Sequence, residues 1–168
     1  MDRNSVSLRH VVRTIAGTPD RWRDQVRFSL EERHCVRLSR DEHHEVWLIC
    51  WDIGQDTLLH DHGGSVGAFA IAQGSLVEDY GRIGSSTIRT RRHAAGTSVA
   101  FGSSYLHNLV NVGMEPTVSI HAYSPPLSVM NFYAWLPTGT HLLRAIPCDT
   151  PEPDTSLLEQ QAAALRST

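Results

Sequence analysis

The sequence is poor in the features that define several classes of protein. Cysteine is scarce, with only Cys35, Cys50 and Cys148. The odd number and the lack of C-x-x-C spacing argue against a disulfide framework and a zinc ribbon. No run approaches the roughly 18 apolar residues that a membrane helix needs. The N-terminal stretch MDRNSVSLRHVVRTIAG is polar and broken by arginines, unlike a signal peptide. We therefore expect a cytoplasmic protein without membrane attachment.

An excess of charge of either sign is also absent. The 15 Lys and Arg residues nearly balance the 18 Asp and Glu residues, which gives a formal net charge of −3. Without a long basic run the chain offers no electrostatic footprint for nucleic acid, so we expect no such partner. A hydrophobic fraction of 40% and a length of 168 residues fit one globular domain with a sizeable core.

Residues 1–34 have the pattern of an N-terminal helical cap. Apolar residues between Val6 and about Ala16 follow a helical stripe. Thr18-Pro19-Asp20 then indicates a stop, followed by a second short helix near Trp22–Phe28. We expect these helices to cap the open end of a barrel.

Residues 35–147 have the pattern of an all-β core. Short runs rich in Val, Ile, Trp and Phe are separated by Gly and Ser, as in EVWLICWDIG and TVSIHAYSPP, which predicts an antiparallel sandwich or barrel. Ala72-Gln73-Gly74-Ser75 is typical of a tight turn between two strands. The chain is expected to become irregular after Pro126. Residues 148–168 are expected to form a C-terminal tail, with a linker and a short helix from about Ser156 to Leu165.

Three of the ten histidines have a spacing that indicates a metal site. Alternate residues of a strand share one face, so His60 and His62 can offer two imidazoles to one ion while Asp61 points away. His107, 45 residues after His62, would supply the third nitrogen. Such a set could hold ferrous iron for oxygen chemistry or zinc with a bound water. Six further histidines lack this spacing and are expected on the surface or behind the ligands: His10, His34, His43, His44, His93 and His141.

The glycines around these histidines carry a resemblance to a known superfamily. Gly54-x5-His60-x-His62-x4-Gly67-x6-Gly74, followed by Gly96-x5-Gly102-x4-His107-x3-Asn111, resembles the two cupin motifs. HDHGGSVGAF, LHNLVN and SIHAYSPP further resemble the thiol dioxygenases, specifically bacterial-type cysteine dioxygenase, from about Arg37 to Pro126. The resemblance implies a jelly-roll β-barrel with Fe(II) bound by His60, His62 and His107.

Two positions depart from the general cupin pattern. Gly67 stands where many cupins place a glutamate ligand, which favours a site of three neutral histidines that would attract an anionic thiolate. Mammalian relatives have a cysteine there that cross-links to the tyrosine matching Tyr123, and glycine cannot form this thioether. Gly102 and Ser104 replace the proline and glycine usual in the second motif, at little cost.

Ser119, His121 and Tyr123 alternate on one predicted strand and should share a face. The resemblance implies that they form a hydrogen-bonded line, with the Tyr123 hydroxyl beside the metal and the substrate and with Gly67 leaving room beside the ring. Without the metal motif, ordinary interior polar residues would be the simpler interpretation. Ser124-Pro125-Pro126 should end the strand, with a cis peptide bond as in the family.

The resemblance also implies a cationic anchor for a substrate carboxylate, and Arg37 aligns best with it. Arg33 and Arg40 are close enough to be mistaken for it, and a surface arginine paired with Asp or Glu is the alternative. Cys35 replaces a tyrosine often found two residues earlier, so the substrate could be larger than cysteine. Trp47 and Trp51, on the strand before the histidines, are interpreted as core packing.

Together these residues predict an iron-dependent thiol dioxygenase that adds both atoms of O2 to a small thiol, first of all L-cysteine, to give the sulfinic acid. 3-Mercaptopropionate or another mercapto-acid is an alternative substrate. A cupin that binds a metal or small molecule without turnover is the alternative from another class, since a fold does not decide function. The expected partners are the thiol and O2, and the expected assembly is a monomer or weak homodimer.

Overall fold

The computed structural model describes residues 3–166 of the chain, which form two α-helices and eleven β-strands. The helices are α1 (Arg3–Ala16) and α2 (Leu158–Arg166). The strands are β1 (His34–Arg40), β2 (Glu45–Trp51), β3 (His60–Asp61), β4 (Val66–Gln73), β5 (Ser75–Arg82), β6 (Arg89–Ala94), β7 (Ser98–Phe101), β8 (Tyr105–Val110), β9 (Thr117–Ser124), β10 (Val129–Leu136) and β11 (Gly139–Pro147). No helix among the described residues is both long and apolar enough to cross a membrane.

The strands form two antiparallel sheets. One has the order β1-β2-β9-β4-β7 and the other the order β11-β10-β3-β8-β5-β6. Side chains from both sheets meet in one buried cluster, where Trp51 and Phe69 of the first contact Leu76 and Leu109 of the second. The prediction of an antiparallel β-barrel is therefore confirmed. Gly74, with φ +75°, makes the predicted turn between β4 and β5, and the Ser124–Pro125 bond is cis.

Helix α1 lies on the outer face of the five-stranded sheet. Leu8 and Val12 lie in one buried cluster with Ala68 of β4 and Ile120 of β9, strands whose alternate residues point away from the barrel interior. The expected place over the open end is therefore wrong, because this apolar outer face itself needs a cover. The first predicted helix itself is confirmed.

The predicted second helix near Trp22–Phe28 is wrong. Two short 3₁₀ turns, Pro19–Arg21 and Arg23–Gln25, stand there instead. Trp22 interrupts the helix because its ring is buried and its Nε1 donates to the Ile15 carbonyl at 3.0 Å. These contacts hold its backbone at φ −145°, outside the helical region.

The chain after Pro126 continues as a hairpin rather than an irregular segment. Strands β10 and β11 pair from Val129 to Pro147, since Met130, Phe132 and Ala134 alternate on a buried face. The predicted C-terminal helix is confirmed as α2, and its Leu158 packs on Met130 and Phe132. The tail follows β11, an edge strand of one sheet, and its Glu152 reaches Arg33 next to β1, an edge strand of the other.

Candidate metal centre

The barrel brings His60, His62 and His107 together. His60 on β3 pairs directly with His107 on β8, and His62 follows β3 by one residue beyond Asp61. One nitrogen of each ring lies within 4.8 Å of the others, and each residue is at most 3% exposed. Asp61 points to the opposite face, where its carboxylate accepts a 2.6 Å bond from the Tyr133 hydroxyl. The three histidines could therefore hold one metal ion.

Hydrogen bonds fix which nitrogen each ring presents. Nδ1 of His60 lies 2.9 Å from the Leu58 carbonyl, and Nδ1 of His107 lies 2.9 Å from Oε1 of Glu78, so both rings have Nε2 left for a ligand. Nε2 of His62 is buried and has no hydrogen-bond partner among the described residues. A buried polar atom of this kind calls for a ligand, so the donor set fits a metal ion. Leu58 adopts φ +59° to aim its carbonyl at His60.

Glu78 on β5 supports His107 and was not predicted from the sequence. Its two carboxylate oxygens accept from four groups: Nδ1 of His107, the Tyr105 hydroxyl, Nε of Arg91 and Nε2 of His93, at 2.7 to 2.9 Å. Burial acts to raise the pKa of Glu78, but the bonds from His107 and His93 and the charge of Arg91 outweigh it and hold the pKa well below its usual range. Glu78 is therefore a carboxylate that fixes the His107 ring.

Burial favours the neutral form of the His60, His62 and His121 imidazoles. Burial lowers the pKa of His60 and His62 well below the usual value, and the neighbouring His107 lowers both further. Burial likewise lowers the pKa of His121 to about 3. Neutral imidazole is the form that binds metal, so His60 and His62 need not lose a proton before binding it at neutral pH.

The structure places Ser119, His121 and Tyr123 in the line that the resemblance implies. Oγ of Ser119 lies 2.8 Å from Nε2 of His121, and the Tyr123 hydroxyl lies 3.4 Å from Nδ1 of the same ring. Trp51 extends the line, because its Nε1 donates to Oγ of Ser119 at 2.8 Å. The Tyr123 ring centroid is 4.9 Å from that of His62, so the line ends beside the candidate ligands.

The expectation that Gly67 leaves room beside the Tyr123 ring is wrong, because Phe101 fills the space. Gly67 pairs with both Tyr123 and Phe101 across the sheet. A Cβ atom at Gly67 would lie 2.4 Å from Cζ of Phe101. The Phe101 ring also stacks on His62, with the centroids 4.9 Å apart. Packing of a phenyl ring therefore takes the place that a side chain at position 67 would occupy.

Arg33 and Arg37 lie over two different tryptophans. Arg37 stands over Trp47, 5.3 Å from the ring centroid, and its Nη1 lies 3.8 Å from the buried Glu45 carboxylate. Its side chain is 38% exposed. Nε1 of Trp47 is buried without a partner among residues 3–166. Arg40 lies closer to Glu45, at 3.2 Å.

Arg33 is the more buried of the two, with its side chain 9% exposed. Its guanidinium lies 5.2 Å from the Trp51 centroid and meets the carboxylate of Glu152, from the C-terminal tail, through Nε and Nη2 at 2.6 Å each. Burial dominates the pKa shifts of His121 and Tyr123, and the positive charge of Arg33 acts to lower the pKa of both. Arg33 is therefore the arginine whose charge reaches the histidine cluster.

Cys35 lies between these arginines on the same face of β1. Its Sγ is 3.9 Å from Oε2 of Glu152. Burial, followed by the negative charge of Glu152, raises the pKa of this thiol well above its usual range. Cys35 is thus a neutral thiol facing the cluster that contains Trp47 and Trp51.

The sequence also matches a known protein family. A family model described as cysteine dioxygenase type I matches residues 2–135. The chain belongs to the cysteine dioxygenase type I family. For a member of this family, the buried histidine cluster supports a metal-dependent cupin dioxygenase.

Solved structures similar to this cysteine dioxygenase family member share its fold. Protein TT1209 from Thermus thermophilus is 18% identical, with a TM-score of 0.54 over 61% of this chain and 92% of its own. A cupin superfamily protein from Desulfitobacterium hafniense is 10% identical, with a TM-score of 0.52 over 62% of this chain and 87% of its own. An oxalate oxidase is 14% identical, with a TM-score of 0.53 over 62% of this chain and 56% of its own. These likenesses confirm the cupin fold.

Proposed function

We propose that the protein is a mononuclear ferrous thiol dioxygenase that converts a small thiol, first of all L-cysteine, and O2 into the sulfinic acid. The observation that carries the proposal is the set of three buried histidines beside the Ser119-His121-Tyr123 line in a member of this family. Nε2 of one of them, His62, has no partner within residues 3–166. The reaction RSH + O2 → RSO2H balances without a further reductant, since both oxygen atoms end on sulfur.

His60, His62 and His107 would hold the Fe(II) through their Nε2 atoms. The bound ion would supply neighbouring positions for a thiolate and O2. Three neutral ligands add no negative charge to the site, so the protein leaves it attractive to an anionic sulfur. Glu78 keeps the His107 ring in the orientation that points Nε2 inward.

The line from Trp51 supports a defined role for the Tyr123 proton. Indole Nε1 can only donate, so Ser119 accepts from Trp51 and can give its own proton to Nε2 of His121. Neutral His121 then carries its proton on Nδ1 and donates to the Tyr123 oxygen. The phenol proton stays free to donate to a bound thiol or oxygen ligand.

Burial keeps the Tyr123 phenol protonated. It raises the pKa of Tyr123 well above its usual range, and the negative charge of Glu45 raises it further. The side chain is 2% exposed, so water does not compete for the proton. Tyr123 would act as a neutral hydrogen-bond donor at the reacting atoms.

Arg33 is the better supported anchor for a substrate carboxylate. It is nearly buried, stands over the Trp51 that starts the hydrogen-bonded line, and its charge reaches His121 and Tyr123. A guanidinium offers two parallel donors that suit a carboxylate. Arg37, the prediction from the resemblance, remains the competing candidate over Trp47.

Oxygen uptake across a panel of thiols tests the proposal. Protein loaded anaerobically with Fe(II) would be mixed with L-cysteine, 3-mercaptopropionate or cysteamine in an oxygen electrode. We expect thiol-dependent uptake with iron near one equivalent, fastest for a thiol that carries a carboxylate. Tight zinc binding with no oxygen consumption after iron loading would instead favour a cupin without turnover.

The two arginines are compared with the same assay. Arg33→Lys should raise KM for L-cysteine strongly and leave cysteamine, which has no carboxylate, little changed. Arg37→Lys is the matched variant, four residues further along the chain and over the other tryptophan. A strong rise in the KM for L-cysteine in Arg37→Lys but not in Arg33→Lys would identify Arg37 as the anchor.

A further inference from the structure

The arginine that suits a substrate carboxylate already holds one from the chain itself. Glu152 meets Arg33 in the two-donor geometry that a free carboxylate would adopt, at 2.6 Å on both sides. Arg33 and Glu152 are 119 residues apart, so the pair is a tertiary contact of the tail and not a local one. A thiol carboxylate can reach Nε and Nη2 of Arg33 only by taking the place of Glu152.

The tail presents Glu152 to Arg33 at a fixed position. On one side, the amide of Cys148 donates to the Ser128 carbonyl at 3.1 Å. On the other side, Leu158 of α2 is buried against Met130 and Phe132. A tethered group competes as if it were present at millimolar concentration or more. Glu152 is therefore a strong competitor for any free carboxylate of similar intrinsic affinity.

The Glu152 side chain can leave without unfolding the tail. It is 25% exposed, whereas the Arg33 side chain is 9% exposed. The anchors at Cys148 and Leu158 contact β10 and the residue before it rather than β1. A change of side-chain rotamer towards solvent would free the guanidinium while both anchors stay in place.

We propose that Glu152 is a specificity-determining residue that competes with the substrate carboxylate for Arg33. This inference rests on the proposed function, with Arg33 as the anchor. It means that carboxylate-bearing thiols bind only as Glu152 is displaced, while thiols without a carboxylate leave the pair intact. A thiol acid must therefore displace Glu152 from Arg33 as well as fit the pocket.

The binding of a free carboxylate to the metal-free protein tests the competition for Arg33 without any turnover. The probe is propionate, a carboxylate without sulfur, and the readout is the NMR signal of the Arg33 Nε–H group, identified by its loss in Arg33→Lys. In Glu152→Gln and Glu152→Ala the signal should shift saturably at a propionate concentration at least about tenfold lower than in the wild type. Propan-1-ol, which has no charge, should have no such effect.

Asp149→Asn is the matched control, because it removes an exposed negative charge from the same segment. It should leave the propionate titration at the wild-type concentration. A structural pair with no competing role would instead lower thermal stability in both Glu152 variants while their propionate affinity stays at the wild-type value. That result would overturn the inference.

Kinetics of the iron-loaded protein give the second readout. Glu152→Gln should lower KM for both L-cysteine and 3-mercaptopropionate several-fold, with the KM for cysteamine unchanged. A higher KM for L-cysteine alone would mean that Glu152 binds the substrate amine, which contradicts the inference. If no thiol is oxidised, the dioxygenase proposal fails, while the propionate titration still decides the role of Glu152.

Discussion

Tyr123 lies beside the His62 ring, and its hydroxyl lies 3.4 Å from Nδ1 of His121. In the proposed reaction, Tyr123 contributes one proton as a hydrogen-bond donor. Tyr123→Phe should keep stoichiometric iron and bind thiol but lower kcat on the order of 100-fold, the typical cost of losing one aimed hydrogen bond. The measurement is steady-state oxygen uptake with sulfinate quantified in parallel.

Tyr80→Phe is the control for this variant, since it removes a phenol hydroxyl from another strand of the same barrel. It should leave kcat near the wild-type value. If Tyr123→Phe keeps wild-type turnover and coupling, the Ser119-His121-Tyr123 line is an ordinary set of polar core residues with no role in the reaction. Intact mass measurement should also show no two-hydrogen loss in the wild type, because Gly67 has no side chain to form a thioether.

At the scale of strands, β5 carries two carboxylates on opposite faces. Glu78 faces inward to His107, while Asp79 faces outward and accepts from Thr90. Glu78→Gln should lower Fe(II) affinity about 10-fold to 100-fold, since the partner that orients a metal-binding histidine is lost. Asp79→Asn should leave the affinity unchanged. Competition with a coloured chelator measures both, and equal affinities in the two variants would exclude an orienting role for Glu78.

Strands β4 and β7 pack closely where Gly67 lies opposite Phe101. Gly67→Ala would place Cβ 2.4 Å from Cζ of Phe101 and 2.8 Å from the Ala122 carbonyl. We expect a loss of about 1–3 kcal/mol in the free energy of unfolding, the usual cost of overpacking. Gly102→Ala, where no atom lies within 4 Å of the new Cβ, should be neutral. Urea titration compares them, and equal stability of the two variants would contradict this account of Phe101.

The sequence predicts those parts of the site that local alternation encodes. His60 and His62 are two residues apart on one strand face, as are Ser119, His121 and Tyr123, so their common orientation follows from strand geometry. The barrel itself follows from regularly spaced strands. The helical cap is misplaced because amphipathicity predicts a buried face but not the surface that covers it.

Contacts across strands and from the tail are not encoded locally. Glu78 depends on the β5–β8 register, which pairs Tyr80 with His107. Phe101 over Gly67 depends on the β4–β7 register. Arg33 lies just before β1 and Arg37 within it, an even number of residues apart, so spacing alone cannot say which of them meets the pocket. The position of Glu152 follows from the path of a tail without regular structure, for which the sequence has no periodic signal.

For the whole molecule, buried neutral histidines link stability to pH. His60, His62 and His121 have folded-state pKa values below the ordinary value near 6.5. Below pH 6.5 the unfolded chain therefore binds protons that the folded chain does not, and stability falls as pH falls towards the folded pKa, with no contribution above 6.5. Each histidine contributes a slope of up to about 1.4 kcal/mol per pH unit.

Chemical denaturation of the metal-free protein between about pH 7 and pH 5 checks this. His121→Gln should have a slope smaller than that of the wild type by up to about 1.4 kcal/mol per pH unit, reached towards pH 5, because one linked proton is removed. The difference between the two proteins cancels the contributions of groups that His121 does not influence. Parallel pH profiles would show that His121 is not held neutral by burial.

We propose that this barrel uses His60, His62 and His107 to transfer both atoms of O2 to a thiol sulfur. Mass spectrometry of the product formed by the iron-loaded protein from L-cysteine or 3-mercaptopropionate under ¹⁸O2 tests this reaction. We expect a sulfinate that carries two labelled oxygens, and no such product from His107→Ala. A disulfide product, or a sulfinate with oxygen from water, would contradict it.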